Sequence, residues 1–394
     1  MNSQSLLLLL AGAILPSFVI SLVATYIIRT NAARFGLIDK PGERKVHTTP
    51  TPLGGGLGIW LGVVGAFALG QVALYLATTQ SSLRELIPEL AQPHLSGLAL
   101  QSRKLWILLA AGSALAALGL ADDRRGLPWQ LRLGMQFAVA AACVALVNNL
   151  QLTAFIASPW LTGALSVLWI VALINSFNML DNMDALSGGV ATIAAGMLAA
   201  VMLLATDPEN RGPQLFVAGF LLVLVGGILG FLFHNRPPAK IFMGDAGSYF
   251  IGFCIAVATL LATYTDYEGG RKHAILTPLC VMAVPLYDMV TVILIRLKNG
   301  KSPFQPDKNH FSHRLVDLGL TKPQAVLTVY LTTATCGLGA LLLHRVDTIG
   351  AVIIMLMIGC VLLLIAILEA TARRTIRKQG PGAGGQEPGA RAGR

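Results

Sequence analysis

The stretch from Asn175 to Gly188, NSFNMLDNMDALSG, places polar and acidic side chains between two long apolar runs. In a helix, Asn178, Asp181 and Asp184 would follow one another every three residues and form one polar stripe. Carboxylate and amide oxygens with no lysine or arginine among them suit a hard cation such as Mg²⁺, or the hydroxyl and amide groups of a ligand. A short solvated turn is the alternative, and the stretch alone does not decide between them.

A second acidic group ends another apolar run, where Asp122 and Asp123 are followed by Arg124, Arg125 and Arg132. Neighbouring residues of a helix point about 100° apart. We therefore expect one carboxylate to act, as a general base or a metal ligand, and the other to support it. An ion pair with Arg125 is the plain alternative.

The segment from Phe233 to Phe250, FHNRPPAKIFMGDAGSYF, breaks at two consecutive prolines and turns at residues 244–247. Ser248 is the predicted N-cap of the helix that follows. The turn places Asp245 beside the free backbone amides of a helix start. This arrangement suits a metal-bridged phosphate better than it suits packing.

The segment from Gly36 to Gly56 offers cationic donors, and its prolines exclude a helix. The donors are Arg44, Lys45 and His47. The glycines that close the segment either present backbone amides to a phosphate or let helices pack closely, and packing is the favoured interpretation.

A last basic segment follows Asp288 and runs from Arg296 to Arg314. It contains His310 and His313, which could bind zinc together. No third histidine or cysteine ligand is nearby, so an anion site for phosphate or diphosphate is favoured.

The elements that must position these groups are membrane helices. Of the 394 residues, 55% are hydrophobic and 12% are charged, against about 25% charged in soluble domains, and the mean hydropathy is +0.68. The fold class is therefore an all-α polytopic membrane protein. Stretches of spanning length predict eleven transmembrane helices, near residues 6–28, 53–78, 105–121, 133–149, 160–177, 185–205, 214–233, 248–264, 274–295, 325–343 and 348–368.

The net charge of +10 does not indicate a nucleic-acid partner, because the basic residues flank the predicted spans and suit anionic membrane lipids. Most of the 29 lysine and arginine residues fall in loops on the side of the C-terminal tail. This predicts a cytoplasmic C-terminus and an external N-terminus. We predict one transmembrane domain, residues 1–372, with its site on the cytoplasmic face, and a basic, Gly/Pro-rich disordered tail, residues 373–394.

Together the five clusters resemble the polyprenyl-phosphate N-acetylhexosamine-1-phosphate transferases, over residues 36–313 and so most of the chain. The pattern RKxHxxPxPxxGG, which begins at Arg44, is similar to that of the branch that initiates O-antigen and teichoic acid synthesis. The resemblance implies transfer of a sugar 1-phosphate, such as N-acetylglucosamine 1-phosphate, from a UDP-sugar to undecaprenyl phosphate, with release of UMP. It also implies a multi-pass protein of the bacterial inner membrane, with Mg²⁺, or alternatively Mn²⁺, as cofactor.

The resemblance also assigns roles to individual residues. Asp245 would hold the metal with Asn178, and Asp122 or Asp123 would ligate metal or deprotonate the lipid phosphate. Asp181 and Asp184 would complete the catalytic cleft. His310 and His313 would act on phosphate. Substrate contacts would come from further polar residues: Arg44, Lys45, His47, Arg132, Asn178, Asn235 and Arg296.

Two positions depart from the family pattern. The family often has DGxDG where this chain has Asp181 to Ala185, and often a third histidine where Ser312 stands. The donor sugar is open, with UDP-MurNAc-pentapeptide as an alternative, and a homodimer is an open assembly state. An ion-coupled transporter and an intramembrane aspartyl protease, with Asp245 and Asp288 as its acids, are the rival classes.

Overall fold

The protein is a bundle of α-helices, as its apolar stretches predict. The computed structural model describes residues 3–39, 50–80, 95–148, 150–152, 158–204, 214–266, 272–305 and 307–378. Its helices are α1 (Ser3–Asn31), α2 (Gly55–Thr79), α3 (Leu95–Arg125), α4 (Trp129–Leu146), α5 (Pro159–Leu180), α6 (Leu186–Leu204), α7 (Leu215–Asn235), α8 (Gly244–Asp266), α9 (Thr277–Val281), α10 (Ala283–Lys298), α11 (Phe311–Asp317), α12 (Lys322–Leu343) and α13 (Thr348–Lys378). Short 3-10 helices occupy Ala32–Phe35 and Lys272–Leu276.

Within these ranges, 10 helices are long and apolar enough to cross a membrane. The predicted eleventh span, near residues 274–295, is instead a broken segment in which α9 ends at Val281 and α10 begins at Ala283. Helix α10 has 16 residues, fewer than the about 20 that a membrane crossing needs. It carries Asp288 in its first half and Arg296 in its last turn.

Helix α8 is the centre of the bundle. Of its most apolar window, 94% is buried, and it packs against α2, α3 and α5. Two glycines make this possible: a Cβ on Gly119 of α3 would lie 2.4 Å from the backbone N of Ala246, and a Cβ on Gly56 of α2 would lie 2.1 Å from that of Gly247. Helices α1 and α13 lie at the periphery, with 11% and 17% of their windows buried.

The first polar loop contains a pair of short strands of two residues each. Strand β1 (Ile38–Asp39) is antiparallel to β2 (Thr51–Pro52). The prediction that this loop is not helical is confirmed for the residues that the structure describes. Arg44, Lys45 and His47 lie outside the described residues.

The glycines that follow the strand pair hold the segment before α8. The backbone N–H of Gly55 donates to Phe242 O at 2.9 Å, and that of Gly56 donates to Met243 O at 2.9 Å. These amides therefore bind protein carbonyls at a close contact between backbones. The interpretation of these glycines as packing residues is confirmed.

The polar clusters that the structure describes gather at one end of the bundle. The C-terminal ends of α3, α5 and α7 meet the N-terminal ends of α4, α6 and α8 there, through side chains described below. That this end faces the cytoplasm stays a prediction. Helix α13 continues to Lys378, past the predicted start of the tail at residue 373, and residues 379–394 lie outside the described ranges.

Candidate active site

The end of α3 and the start of α4 share an ion pair at the acidic end of the bundle. Asp122, 6% exposed, accepts a hydrogen bond of 2.6 Å from Arg132 Nη1 and one of 2.7 Å from the backbone N–H of Leu127. The same Arg132 nitrogen lies 3.7 Å from Asp245 Oδ2. The ion pair that the alternative interpretation assigned to Arg125 is made by Arg132. Arg132 thus links the two carboxylates that the sequence places 123 residues apart.

Asp123 caps the first turn of α8. Its Oδ1 accepts from the backbone N–H of Asp245 at 2.9 Å and its Oδ2 accepts from that of Ala246 at 3.4 Å. Gly244 permits this approach, because its φ is 73° and a Cβ there would lie 2.5 Å from Asp123 Oδ2. Ser248 was the predicted cap, and that prediction is wrong, since α8 begins four residues earlier and another helix supplies the acceptor.

Asn178, at the end of α5, contacts the predicted metal ligand directly. Its Nδ2 donates to Asp245 Oδ1 at 2.6 Å and to Ser248 Oγ at 3.1 Å. The predicted polar stripe is helical only up to Leu180, because α5 ends there. The role of Asn178 as a second metal ligand stays a prediction.

Asp181 and Asp184 lie in the turn between α5 and α6. Burial raises the pKa of Asp181 to about 7, repulsion from Asp123 and Asp184 adds to the shift, and the backbone N–H of Gly244 opposes it. Asp184 Oδ2 accepts from the backbone N–H of Ala239 at 3.0 Å. The turn therefore places two more carboxylates beside the first turn of α8.

Asn235 supports this turn. Its Oδ1 accepts from the backbone N–H of Ala185 at 2.8 Å and its Nδ2 donates to Ile241 O at 2.8 Å, and the residue is 5% exposed. Both ends of the amide are bound to backbone, which gives Asn235 a scaffold role. The predicted contact with the nucleotide stays untested.

Asp288 and His310 form a buried pair. His310 Nδ1 lies 3.0 Å from Asp288 Oδ2, and the backbone N–H of Phe311 donates to Asp288 Oδ1 at 2.6 Å. Asp288 is 0% exposed. With Nδ1 bound to the carboxylate, the other ring nitrogen of His310 is oriented for a ligand. The His313 ring lies 6.4 Å from that of His310, and burial, then the neighbouring His310, lower the pKa of His313.

Arg296 binds the loop that leads to these histidines. Its Nη1 donates to Pro303 O at 2.6 Å and its Nη2 donates to Asp307 Oδ1 at 3.1 Å. Burial opposes the shift, but Arg296 and Asn309 together lower the pKa of Asp307. In the structure the terminal nitrogens of Arg296 hold this loop, and its predicted role as a substrate contact stays a prediction.

The donor chemistry of the acidic end fits Mg²⁺. Five carboxylates lie in this region, and the described ion pairs set one cation, Arg132, against Asp122 and Asp245. Among the described residues, no three His, Cys, Asp or Glu side chains form a closed metal site. Mg²⁺ commonly binds one or two carboxylates and completes its shell with water and substrate phosphates. Asp245 and Asp122 would be the residues to hold such an ion.

The structure therefore brings together most of the predicted residues that it describes. The central group comprises Asp122, Asp123, Arg132, Asn178 and Asp245, with Asp181, Asp184 and Asn235 beside it. Ser312 Oγ, which donates to Asn182 Oδ1 at 2.5 Å, connects the turn after α5 to the segment with His310 and His313.

Sequence reasoning missed the partners of the predicted residues. One of these partners is Tyr249, whose hydroxyl donates to Asp122 Oδ2 at 3.4 Å. Asp288, which lies inside a predicted span, was given a role only in the rival aspartyl protease class. An ionisable residue in such a span is itself a signal of function. Because Asp288 pairs with His310 and Asp245 with Asn178 and Arg132, the two are not the shared carboxylate pair of an aspartyl protease.

Comparison with known proteins identifies the family. Residues 105–263 match the family described as Glycosyl transferase family 4. The chain is 31% identical over 337 residues, 84% of each chain, to the probable undecaprenyl-phosphate N-acetylglucosaminyl 1-phosphate transferase of Bacillus subtilis (strain 168). It is 32% identical to the decaprenyl-phosphate N-acetylglucosaminephosphotransferase of Mycobacterium tuberculosis (strain H37Rv), over 83% of this chain and 80% of that relative.

A third relative comes from Escherichia coli O157:H7. Its undecaprenyl-phosphate alpha-N-acetylglucosaminyl 1-phosphate transferase is 30% identical, over 83% of this chain and 82% of its own length. This chain therefore belongs to glycosyl transferase family 4, as a transferase of the polyprenyl-phosphate N-acetylhexosamine-1-phosphate transferase group.

Proposed function

We propose that this protein transfers N-acetylglucosamine 1-phosphate from a UDP-sugar to undecaprenyl phosphate, releasing UMP, as the first membrane step of a cell-envelope polysaccharide. The observation that carries the proposal is the meeting of Asp122, Asp123 and Asp245 beside Arg132 at one end of a membrane bundle. The names of three relatives, which act on undecaprenyl or decaprenyl phosphate, support it.

The position of the cluster suits a lipid acceptor. The acidic residues lie at helix ends, while the outward faces of the bundle carry large exposed apolar side chains such as Leu98, Leu168 and Leu331. A polyprenyl chain can stay in hydrocarbon along these faces while its phosphate reaches the polar end. We place this end at the cytoplasmic face of the bacterial inner membrane, where UDP-sugars are available.

The reaction joins two anions. An oxygen of the lipid phosphate attacks the phosphorus that carries the sugar, and the bond from that phosphorus to UMP breaks. Arg132, 29% exposed at its side chain, reduces the repulsion between the two phosphates. Mg²⁺ held by Asp245 and Asp122 would stabilise the negative charge on the departing UMP.

The other polar side chains of the site have separate roles in the reaction. Asp123 is bound by two backbone amides, and Asp122 is bound by Arg132, so one of them accepts the proton of the lipid phosphate while the other keeps the geometry. His310, oriented by Asp288, presents its free ring nitrogen to diphosphate oxygens. Asn178 fixes the Asp245 carboxylate.

The experiment that tests the proposal uses purified protein in detergent with undecaprenyl phosphate and a panel of labelled UDP-sugars. We expect label to enter lipid only with UDP-N-acetylglucosamine, in the presence of Mg²⁺. Transfer from UDP-MurNAc-pentapeptide alone would overturn the proposed sugar. Absence of transfer from every UDP-sugar, in protein that remains folded, would overturn the proposed function.

A further inference from the structure

Helix α13, the last membrane helix, carries one buried acid in an otherwise peripheral position. Only 17% of its membrane window is buried, yet the side chain of Glu369, near its polar end, is 8% exposed. Leu368, the preceding residue, is 53% exposed. A carboxylate is costly to bury at the edge of a membrane unless it has a defined partner.

Two side chains outside α13 contact the Glu369 carboxylate. Its Oε2 accepts a hydrogen bond of 3.0 Å from the hydroxyl of Tyr287 and lies 2.9 Å from Arg314 Nε. The Arg314 side chain is 3% exposed, and its guanidinium lies 5.7 Å from the centre of the Tyr287 ring. The three side chains form a buried cluster that connects α13 to α10 and α11.

Arg314 extends this cluster to the histidine segment. Its Nη1 donates to Asn309 O at 2.8 Å, and its Nη2 donates to Thr291 Oγ1 at 2.9 Å. Asn309 directly precedes His310. Tyr287, in turn, packs edge-on against Phe311, with ring centres 5.6 Å apart. The two chain neighbours of His310, Asn309 and Phe311, are therefore held by Arg314 and Tyr287, and both of these residues contact Glu369.

We infer that Glu369 is a positioning residue for the transfer reaction, which acts through Arg314 and Tyr287 to hold His310 in the site. This inference rests on the proposed function for its kinetic test. Glu369 forms an ion pair at the Nε of the planar Arg314 guanidinium, and the two Nη groups of that guanidinium bind Asn309 and Thr291. Without the carboxylate, Arg314 is a buried cation that must rearrange.

The test compares Glu369→Gln and Glu369→Asp with a matched control, Leu368→Ala, which alters a lipid-facing neighbour on the same helix. We expect Glu369→Gln to lower kcat about 10- to 100-fold, as loss of an orienting partner commonly does. The Michaelis constant for the UDP-sugar should change less, and Glu369→Asp should retain intermediate activity. Leu368→Ala should match the wild type.

Two further readouts separate positioning from general loss of stability. The limb of the pH profile of kcat that His310→Gln removes should shift in Glu369→Gln. A variant that is only less stable would have a lower kcat at every pH, with that limb at the same pH as in the wild type. Combining Glu369→Gln with Arg314→Gln should cost little more than either change alone, because the pair acts as a unit. Wild-type kcat with an unshifted pH limb in Glu369→Gln would overturn the inference.

Amide hydrogen exchange tests the inference without relying on activity. The peptide covering residues 307–317 should exchange faster in Glu369→Gln than in the wild type, since the Phe311 N–H bonds to Asp288 inside the same cluster. In Leu368→Ala its exchange rate should equal that of the wild type. Identical exchange in all three proteins would overturn the inference. Inactivity of the wild type towards every UDP-sugar would count against the proposed function instead.

Discussion

Ser312 Oγ donates a hydrogen bond of 2.5 Å to Asn182 Oδ1, and this contact links the segment with the two histidines to the turn with Asp181 and Asp184. Both residues stand where this chain departs from the family pattern. Ser312 is 0% exposed. The two residues that depart from the family pattern are therefore in direct contact. The buried hydroxyl of Ser312 finds its hydrogen-bond acceptor in the side chain of Asn182.

We predict that Asn182 and Ser312 are energetically coupled. Asn182→Ala and Ser312→Ala should each lower stability, but the double variant should be more stable than the sum of the two losses predicts, by about 0.5–1.5 kcal/mol. Denaturant unfolding in detergent measures the four proteins of this cycle. Additive losses would show that the contact contributes nothing.

Ala185 occupies a backbone position that favours glycine. Its φ is 61°, and the left-handed region costs a residue with a Cβ about 1–2 kcal/mol. Asn235 binds its N–H and the Tyr330 hydroxyl donates to its carbonyl at 2.5 Å, which holds the strained turn. Ala185→Gly should therefore stabilise the protein by about 1 kcal/mol in denaturant unfolding.

The control for Ala185→Gly is Ala200→Gly, inside α6, the helix that follows this turn. There a glycine should destabilise the protein by about 1 kcal/mol, because the helical backbone needs no positive φ. If both variants lose stability to the same extent, the turn at Ala185 does not carry the strain described.

Substitution of the two adjacent acids of α3 should give unequal results. Asp123→Asn weakens the cap on α8 and should cost about 0.5–2 kcal/mol of stability. Asp122→Asn leaves that cap intact and should chiefly reduce transfer, since it removes the partner of Arg132. Thermal unfolding and initial rates, measured on the same preparations, distinguish them. Equal and mild losses in both variants would reduce the pair to a structural role.

The pH dependence of stability should report Asp181. Its ordinary pKa of 3.8 is raised to about 7 by burial. Between these values the folded state holds a proton that the unfolded state has released, so stability falls as pH rises through this window and stays lower above it. Thermal unfolding in excess chelator should therefore lose less stability between pH 5 and pH 8 in Asp181→Asn than in the wild type.

The control for this measurement is Asp347→Asn, an exposed acid in the loop between α12 and α13, at the opposite end of the bundle. It should keep the pH dependence of the wild type. An unchanged pH dependence in Asp181→Asn would show that Asp181 is ionised in the fold.

The sequence predicts the helical membrane bundle well, because each span is a long apolar stretch and each acidic group lies at the end of one. That Asp122 and Asp245 share one end follows from this pattern. The contact of Asp123 with backbone amides 122 residues away does not, since no local spacing encodes it. Similarly, the resemblance implies substrate contacts for Asn235 and Arg296, which stay predictions, but nothing in the sequence shows that both side chains bind other groups of the protein.

The broken segment near α9 and α10 shows the limit of counting apolar residues. Its composition suits a full span, but Met282 ends one helix before the next begins. The resulting short helix brings Asp288 to His310. Hydropathy averages over such a break, so neither the break nor the role of Asp288 follows from it.

The most direct test of the central claim is exchange of labelled UMP with lipid-linked sugar diphosphate by the purified protein. We predict exchange that requires Mg²⁺, is at least about 100-fold slower in Asp245→Asn, and is unchanged in Asp347→Asn. Full exchange in excess chelator, or in Asp245→Asn, would contradict the account of a metal-assisted transfer site at the acidic end of the bundle.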